Sequence, residues 1–276
     1  LAFEELLAFH LSLRQLRDRA QRLSAPVLDV PGQLVSKFFR SLPFQPTRAQ
    51  LRVIDEIAAD LRAPHPMQRL VQGDVGSGKT LVAVAACLQA IEAGRQAAVM
   101  APTELLAEQH WKNFHHWLAP LGIDVAWLSG KLNAPTRRVM LGAIREGRAP
   151  VAVGTHALFQ DEVEFARLAL VVIDEQHRFG VQQRLALRDK GASGEGVPHQ
   201  LILTATPIPR TLAQTLHADL DISVIDELPP GRTPVETVAL PDTRRADVVA
   251  RVREACLGGR QAYWVCPLIE ESEKPE

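Results

Sequence analysis

The feature that most constrains this chain is a repeated alternation of short apolar runs with amphipathic helical patterns. The runs are rich in Val, Ile and Leu and show little polar alternation, which is typical of parallel strands covered on both faces. Strands are predicted at 69–72, 97–101, 124–128, 151–154, 169–173 and 200–204, and helices over Thr47 to Leu61 and from about Lys79, Glu104, Ala134 and Val181. A stretch rich in helix breakers, which include Pro31-Gly32 and Pro43, runs from Pro26 through Pro46. This rhythm predicts an α/β fold with a mainly parallel, doubly wound sheet.

A glycine-rich segment follows the first predicted strand. It reads Gly73, Asp74, Val75, Gly76, Ser77, Gly78, Lys79, Thr80, and it matches the pattern GxxxxGK[ST] at every fixed position. Glycines let backbone N–H groups surround phosphates, and the following helix adds the positive end of its dipole. In this motif the lysine reaches the β- and γ-phosphates and the hydroxyl binds Mg²⁺. The segment therefore predicts an ATP site, and the strand before it and helix after it argue against an ordinary turn. Gly130 and Lys131 lack the upstream glycine and are predicted as a turn.

Two acidic residues, Asp174 and Glu175, directly follow the predicted strand 169–173. Enzymes with such a loop hold the metal through an acid at the end of a neighbouring strand. Asp174 is the candidate partner of Mg²⁺ through water, and Glu175 is the candidate base that orients the attacking water. The other interpretation is that the pair favours the start of a helix. The candidate catalytic residues are thus Lys79, Asp174 and Glu175, with Thr80 and Asp174 at the metal.

Composition narrows the class of protein further. The net charge is −1, from 31 basic and 32 acidic side chains, which is mild evidence against a nucleic-acid-binding protein. The cysteines, Cys87, Cys256 and Cys266, form no CxxC pair, which suits a reducing, cytoplasmic environment. No apolar run approaches the roughly 20 residues that a membrane span needs. The chain begins with Leu1 rather than Met, so we expect a fragment of a longer protein.

Several motifs resemble those of the superfamily 2 helicases, and they occur in that superfamily's order. Asp174-Glu175-Gln176-His177 resembles the DExH box, and Thr204-Ala205-Thr206 resembles the motif that links ATP state to the bound strand. The stretches 101–105 and 154–156 resemble motifs Ia and Ib, and Phe44 with Gln50 resembles the adenine-sensing element. The resemblance implies a RecA-like fold and a nucleic-acid-dependent ATPase.

A narrower resemblance is to the RecG family, bacterial ATP-dependent DNA helicases that remodel branched DNA. It rests on GDVGSGKT, DEQHRFGVQQR, TATPIPRT and AYWVCPLIEESE, and covers nearly the whole chain. The transcription-repair coupling factors share part of these motifs, but usually differ at Ser77 and carry a DEEH box. A second class, a nucleotide-dependent switch or scaffold without motor activity, also stays open. DNA stimulation of the ATPase separates it from a motor.

The resemblance also implies residues that contact DNA or couple it to ATP. They are Thr103, Thr155, His177, Thr204, Thr206 and Arg210. Thr103 and Thr155 each follow a strand, where a hydroxyl meets a phosphate, although each is equally well explained as a helix cap. Arg178 and Arg210 are candidates for interdomain contacts or for sensing the nucleotide state.

Comparison with the family implies three parts of the chain. Residues 1–24 are expected to be a linker helix from an absent wedge domain, and 25–231 the first RecA-like motor domain. Residues 232–276 are expected to be the truncated start of a second such domain, with a strand at 236–240, a helix at 243–257 and a strand at 261–266. The arginine finger would lie beyond it, so the fragment alone is expected to bind ATP with little turnover.

One predicted helix is rich in histidine and tryptophan. His110, His115 and His116 lie on it with Trp111 and Trp117. The histidine spacing suits zinc poorly. Packing of the tryptophans is favoured over stacking on a DNA base.

Overall fold

Seven strands form one sheet in the part of the chain that the structure describes. The computed structural model describes residues 22–174, 196–206, 220–227 and 235–265, together with Leu7 and Leu11. The strands are β1 Gln68–Gly73, β2 Gln96–Met100, β3 Val125–Leu128, β4 Val151–Gly154, β5 Leu168–Asp174, β6 His199–Thr204 and β7 Asp221–Ile225. Their order is β3-β4-β2-β5-β6-β1-β7, and all neighbours pair in parallel. The predicted doubly wound parallel sheet is confirmed, and each predicted strand agrees to within one residue at either end.

The seventh strand was not predicted from the sequence. β7 is a short edge strand in which Asp221 and Ser223 alternate with apolar residues. It pairs with β1 over Arg69–Gly73. An edge strand buries less of its surface than a central one, so its sequence carries a weaker apolar signal.

Within the described residues of the first 231 positions, five α-helices accompany the sheet. They are α1 Gln33–Ser41, α2 Arg48–Leu61, α3 Lys79–Glu92, α4 Glu104–Leu118 and α5 Ala134–Arg145. Helix α3 is deeply buried, since every residue from Leu81 to Ala90 is inaccessible to solvent or nearly so. The predicted starts at Lys79, Glu104 and Ala134 are confirmed, whereas the helix predicted from Val181 lies outside the described residues.

Helix α1 lies within the breaker-rich stretch 26–46, for which the sequence predicted no helix. Its N-terminus follows Gly32, and the free backbone N–H groups of Gln33 and Leu34 donate to the two carboxylate oxygens of Glu92, each at 2.9 Å. Phe38 is fully buried in the core. Because the capping residue, Glu92, lies at the far end of α3, the local sequence around residue 33 does not predict the start of α1.

Apolar residues alternate between the two faces of the sheet and form two cores. Val71, Val99 and Leu201 belong to the core that contains α3, whereas their strand neighbours Leu70 and Ala98 belong to the other. Alternation with a period of two is what strand geometry requires. Both faces of the sheet are therefore covered by apolar side chains. Polar functional groups are expected at the ends of the strands instead.

The chain divides into two compact units, Leu1–Gly231 and Arg232–Glu276. In the second unit the described elements are a 3-10 turn, Asp242–Arg244, and α6, Arg245–Leu257. The strands predicted at 236–240 and over 261–265 are wrong, because both segments lack strand structure. A strand needs a hydrogen-bonded neighbour, and no strand is found for them among the described residues. Of the linker helix predicted over 1–24, only Leu7, Leu11 and 22–24 are described; Leu7 and Leu11 are helical.

Candidate active site at the carboxyl edge of the sheet

The glycine-rich segment forms a turn between β1 and α3. Gly76 and Gly78 have φ of 79° and 85°, a region that favours glycine. A Cβ atom added to Gly73 would lie 2.5 Å from the Ser77 Oγ atom. The turn therefore needs glycine for its backbone conformation at two positions and for space at a third. It lies beyond the carboxyl end of β1, as the sequence predicted.

Gln50 holds this loop from the side. Its Nε2 donates to the carbonyl of Ser77 at 2.8 Å, while its Oε1 accepts from the N–H of Thr47. The Thr47 hydroxyl in turn caps the N–H of Gln50, which completes a capping box at the start of α2. The Glu227 carboxylate accepts from the N–H of Ala49 at 3.1 Å. These contacts fix the amide of Gln50 against the loop.

The glycine-rich segment carries one lysine, Lys79, and two hydroxyl side chains, Ser77 and Thr80. Lys79 Nζ donates to the carbonyls of Gly73 and Asp74 at 2.7 and 2.9 Å. Ser77 is fully buried, and its Oγ has no hydrogen-bond partner among the described residues. Lys79 and Thr80 line a cavity beside the loop.

Asp174 ends β5 on the same side of the sheet and lines the same cavity. Its side chain is 14% exposed, and its Oδ2 lies 2.7 Å from His110 Nε2 on α4. The cavity is further lined by residues that precede α2 and by residues of α4: Phe44, Gln45, Thr47, Leu106, Gln109, Asn113 and Trp117. Three predicted site residues, Lys79, Thr80 and Asp174, thus meet in one cavity.

These residues fit a nucleotide phosphate chain with a Mg²⁺ ion. The loop supplies N–H groups and a cation, and a hydroxyl and a carboxylate face the same space. Mg²⁺ commonly takes only one or two protein ligands and keeps water and phosphate oxygens for the rest. Within the described ranges no group of three or more His, Cys, Asp or Glu side chains is placed to hold a metal.

Thr204 is the last residue of β6, which pairs with β1, and Thr206 follows two positions later. Thr204 is buried, and its Oγ1 accepts from the N–H of Thr206 at 3.1 Å. Leu203 and Ala205 line the cavity. The segment Thr204–Thr206 therefore borders the predicted phosphate site, with the exposed Thr206 at its outer end.

The family model of the DEAD/DEAH box helicases matches residues 47–215, more than half of the chain. The matched range begins at Thr47, the cap that positions Gln50, and extends past Thr206. The chain belongs to the DEAD/DEAH box helicase family. Both the fold and the phosphate loop agree with that assignment.

Similar proteins within this family are ATP-dependent DNA helicases named RecG. The chain is 62% identical over 274 residues to the RecG of Escherichia coli (strain K12). This alignment covers 99% of this chain and 40% of that protein. The chain is 48% identical to the RecG of Aquifex aeolicus (strain VF5), covering 99% of this chain and 34% of that protein. A solved structure of RecG bound to a three-way DNA junction superposes with a TM-score of 0.85 at 40% identity, covering 97% of this chain and 35% of that one. The chain spans at most about two fifths of these relatives.

The candidate DNA contacts of this helicase domain lie at the same edge. Thr103 is exposed and caps α4, since its Oγ1 accepts from the N–H of Leu106 at 3.3 Å. Thr155 is 2% exposed, and its Oγ1 has no partner among the described residues. Thr103 is therefore better placed than Thr155 to offer a hydroxyl to a phosphate. Glu175, His177, Arg178 and Arg210 lie outside the described residues.

Sequence reasoning missed the contact between His110 and Asp174. Of the three histidines of α4, His110 is buried and reaches Asp174, whereas His115 and His116 are exposed. Trp111 and Trp117 pack against the core, as expected, and Trp111 Nε1 donates to the carbonyl of Val125. The spacing of His110 from the buried Ala107 and Phe114 on α4 was the available signal, since it puts the histidine on the buried face.

Helix length gives one further finding. No helix in the described part of the chain is both long enough and apolar enough to cross a bilayer.

Proposed function

We propose that this chain is the ATP-binding motor domain of a DNA helicase that acts on branched DNA. The observation that carries the proposal is the meeting of Lys79, Thr80 and Asp174 in one cavity beside a complete phosphate loop. The high sequence identity to DNA helicases named RecG supports DNA as the nucleic acid on which the motor acts. The solved structure of a relative bound to a three-way DNA junction supports branched DNA. A motor that works on a bacterial chromosome acts in the cytoplasm.

Each residue of the cavity has a distinct role in this proposal. Lys79 binds the β- and γ-phosphates, and the loop N–H groups surround them. Phe44 and Gln50 sense the adenine, a role supported by their position in the lining of the cavity on the side of α2. Thr80 and, through water, Asp174 hold Mg²⁺, which neutralises charge on the phosphates. Glu175 orients the attacking water.

DNA binding is proposed at the carboxyl edge, next to the nucleotide. Thr103 contacts a backbone phosphate, with Thr155 in support. Thr204, Thr206, His177 and Arg210 couple the bound strand to the nucleotide. The overall charge of −1 does not oppose this, since phosphate contacts need only a local surface.

The first experiment measures ATP hydrolysis by the intact protein with no DNA, with linear duplex and with a three-way junction. We expect stimulation by DNA, greatest with the junction. Lys79→Ala should abolish most ATP affinity because it removes the cation that faces the phosphates. Lys112→Ala is the matched control, since Lys112 is an exposed lysine paired with Glu108 on α4.

Two outcomes would contradict the proposal. Hydrolysis that DNA does not change would favour a nucleotide-dependent switch. Equal stimulation by linear duplex and junction would instead favour a translocase on unbranched DNA, as in the transcription-repair coupling factors.

The second experiment tests the DNA contact. Thr103→Ala should weaken junction binding several-fold without changing sequence preference, because phosphate contacts carry no base information. Thr103→Ser retains both the hydroxyl and the helix cap, so it should bind like the wild type. Affinities are measured by fluorescence anisotropy over a range of salt concentrations. A changed base preference in Thr103→Ala would place this residue at a base instead.

A further inference from the structure

The contact between His110 and Asp174 joins two segments that are 64 positions apart. His110 is 8% exposed, and its Nε2 lies 2.7 Å from one oxygen of the carboxylate, Oδ2. A carboxylate accepts hydrogen bonds, so the imidazole donates through Nε2–H. The second ring nitrogen, Nδ1, is buried and has no partner among the described residues.

A purely structural histidine is the simpler explanation of a buried imidazole, but two observations do not fit it. A buried polar atom without a partner costs free energy, and an aliphatic side chain at this position of α4 would avoid that cost. The partner of Nε2 is moreover not a backbone carbonyl of the core. It is the carboxylate that lines the nucleotide cavity together with Lys79 and Thr80.

We propose that His110 is a positioning residue for the Asp174 carboxylate. By binding Oδ2 it fixes the rotation of the carboxylate group and leaves Oδ1 for the water carried by Mg²⁺. Partners that orient a metal-binding side chain contribute strongly to metal affinity, although they never touch the ion. The inference rests on the proposed role of Asp174 at the metal.

The position of His110 also relates this carboxylate to the proposed DNA contact. Thr103 is the N-cap of helix α4, which carries His110 about two turns later on its buried face. The helix packs against β3 and β4. A single rigid element thus holds both the exposed Thr103 and the partner of Asp174.

The test measures binding of a fluorescent ATP analogue to the intact protein, in EDTA and over a series of Mg²⁺ concentrations. His110→Leu removes the hydrogen bond and keeps an apolar side chain of similar reach. We expect the Mg²⁺ concentration at half-maximal effect to rise about tenfold, while affinity in EDTA stays unchanged. His110→Gln offers an N–H at about the position of Nε2 and should restore most of the Mg²⁺ response. His116→Leu, on the exposed face of α4, is the matched control.

The outcomes separate this inference from the proposed function. An unchanged Mg²⁺ response in His110→Leu overturns the positioning role, and so does an equal loss of affinity with and without Mg²⁺. His110→Gln guards against a misfolded leucine variant, because failure to restore the response in a normally folded glutamine variant also counts against the proposal. If Asp174→Asn keeps the wild-type Mg²⁺ response, the metal assignment itself fails and the role of His110 with it.

Discussion

At the scale of single residues, the phosphate loop depends on glycine for two separable reasons. Gly78 and Gly94 both have a positive φ, 85° and 70°. A Cβ atom on Gly94 would meet nothing within 4 Å, whereas one on Gly78 would overlap Gln50 Nε2. Backbone strain is thus common to both positions, and the steric conflict belongs to Gly78 alone.

This difference gives a matched pair of variants. Gly94→Ala and Gly78→Ala should each lose roughly 1–2 kcal/mol of unfolding free energy to the left-handed backbone. Only Gly78→Ala should also displace the Gln50 amide from the Ser77 carbonyl and weaken ATP binding. Urea unfolding and nucleotide titration of both variants check this. Equal ATP affinities would mean that Gln50 is not needed to hold the loop.

At the scale of elements, α1 is held by a cap from elsewhere in the chain. The Glu92 carboxylate accepts from two free N–H groups at its N-terminus, and a negative charge there also opposes the positive end of the helix dipole. Helix α1 in turn packs on α3 through the buried Phe38. Glu92 therefore joins the end of α3 to the start of α1.

Removing this cap should destabilise the chain. Glu92→Ala should lower the unfolding free energy by about 1–2 kcal/mol, as loss of a helix cap typically does. Glu92→Gln keeps one acceptor oxygen and should lose less. Glu108→Ala is the control: Glu108 forms an exposed pair with Lys112 on α4, and such pairs contribute little, so the variant should be nearly as stable as the wild type. The measurement is urea unfolding, and a Glu92→Ala value equal to the control would show that α1 needs no cap.

At the scale of the whole molecule, His199 ties the segment before α1 to the sheet. Its Nδ1 accepts from the N–H of Met67 at 3.0 Å, and its Nε2 donates to the carbonyl of Pro26 at 2.7 Å. Burial lowers the pKa of His199 below the usual 6.5, because the charged imidazole would lose its water. Protonation would also turn Nδ1 into a donor facing another donor.

The stability of the fold should therefore depend on pH in a defined direction. Above pH 6.5, the ordinary pKa of the unfolded chain, His199 is neutral in both states and its contribution is complete. As the pH falls from 6.5 towards the lower folded pKa, the unfolded state takes up the proton first. Stability then falls by at most about 1.4 kcal/mol per pH unit for this group.

His199→Phe isolates this effect from the other histidines. The variant leaves the Met67 N–H and the Pro26 carbonyl without partners, so it should be less stable than the wild type at about pH 7.5. It should nevertheless lose less stability on going to about pH 5.5, because the buried titrating group is gone. Urea unfolding at both pH values checks this. Parallel losses in the two proteins would assign the pH dependence to other groups.

The sequence by itself determined the sheet, the phosphate loop and the candidates Lys79, Thr80 and Asp174. Each is encoded locally: continuous apolar runs specify buried parallel strands, and glycines at fixed spacing specify a turn around phosphate. Because the strands are parallel, residues at their carboxyl ends meet at one edge. The convergence of Lys79 and Asp174 therefore followed from the fold class alone.

Tertiary structure alone decided the contacts between distant segments. The cap that Glu92 places on α1, the pairing of edge strand β7 with β1 and the bond between His110 and Asp174 all join residues far apart in sequence. The failed strand at 236–240 has the same origin, because a strand forms only beside a partner. Local sequence patterns predict which residues of a helix or strand are buried. Only the folded chain decides which distant group meets each of them.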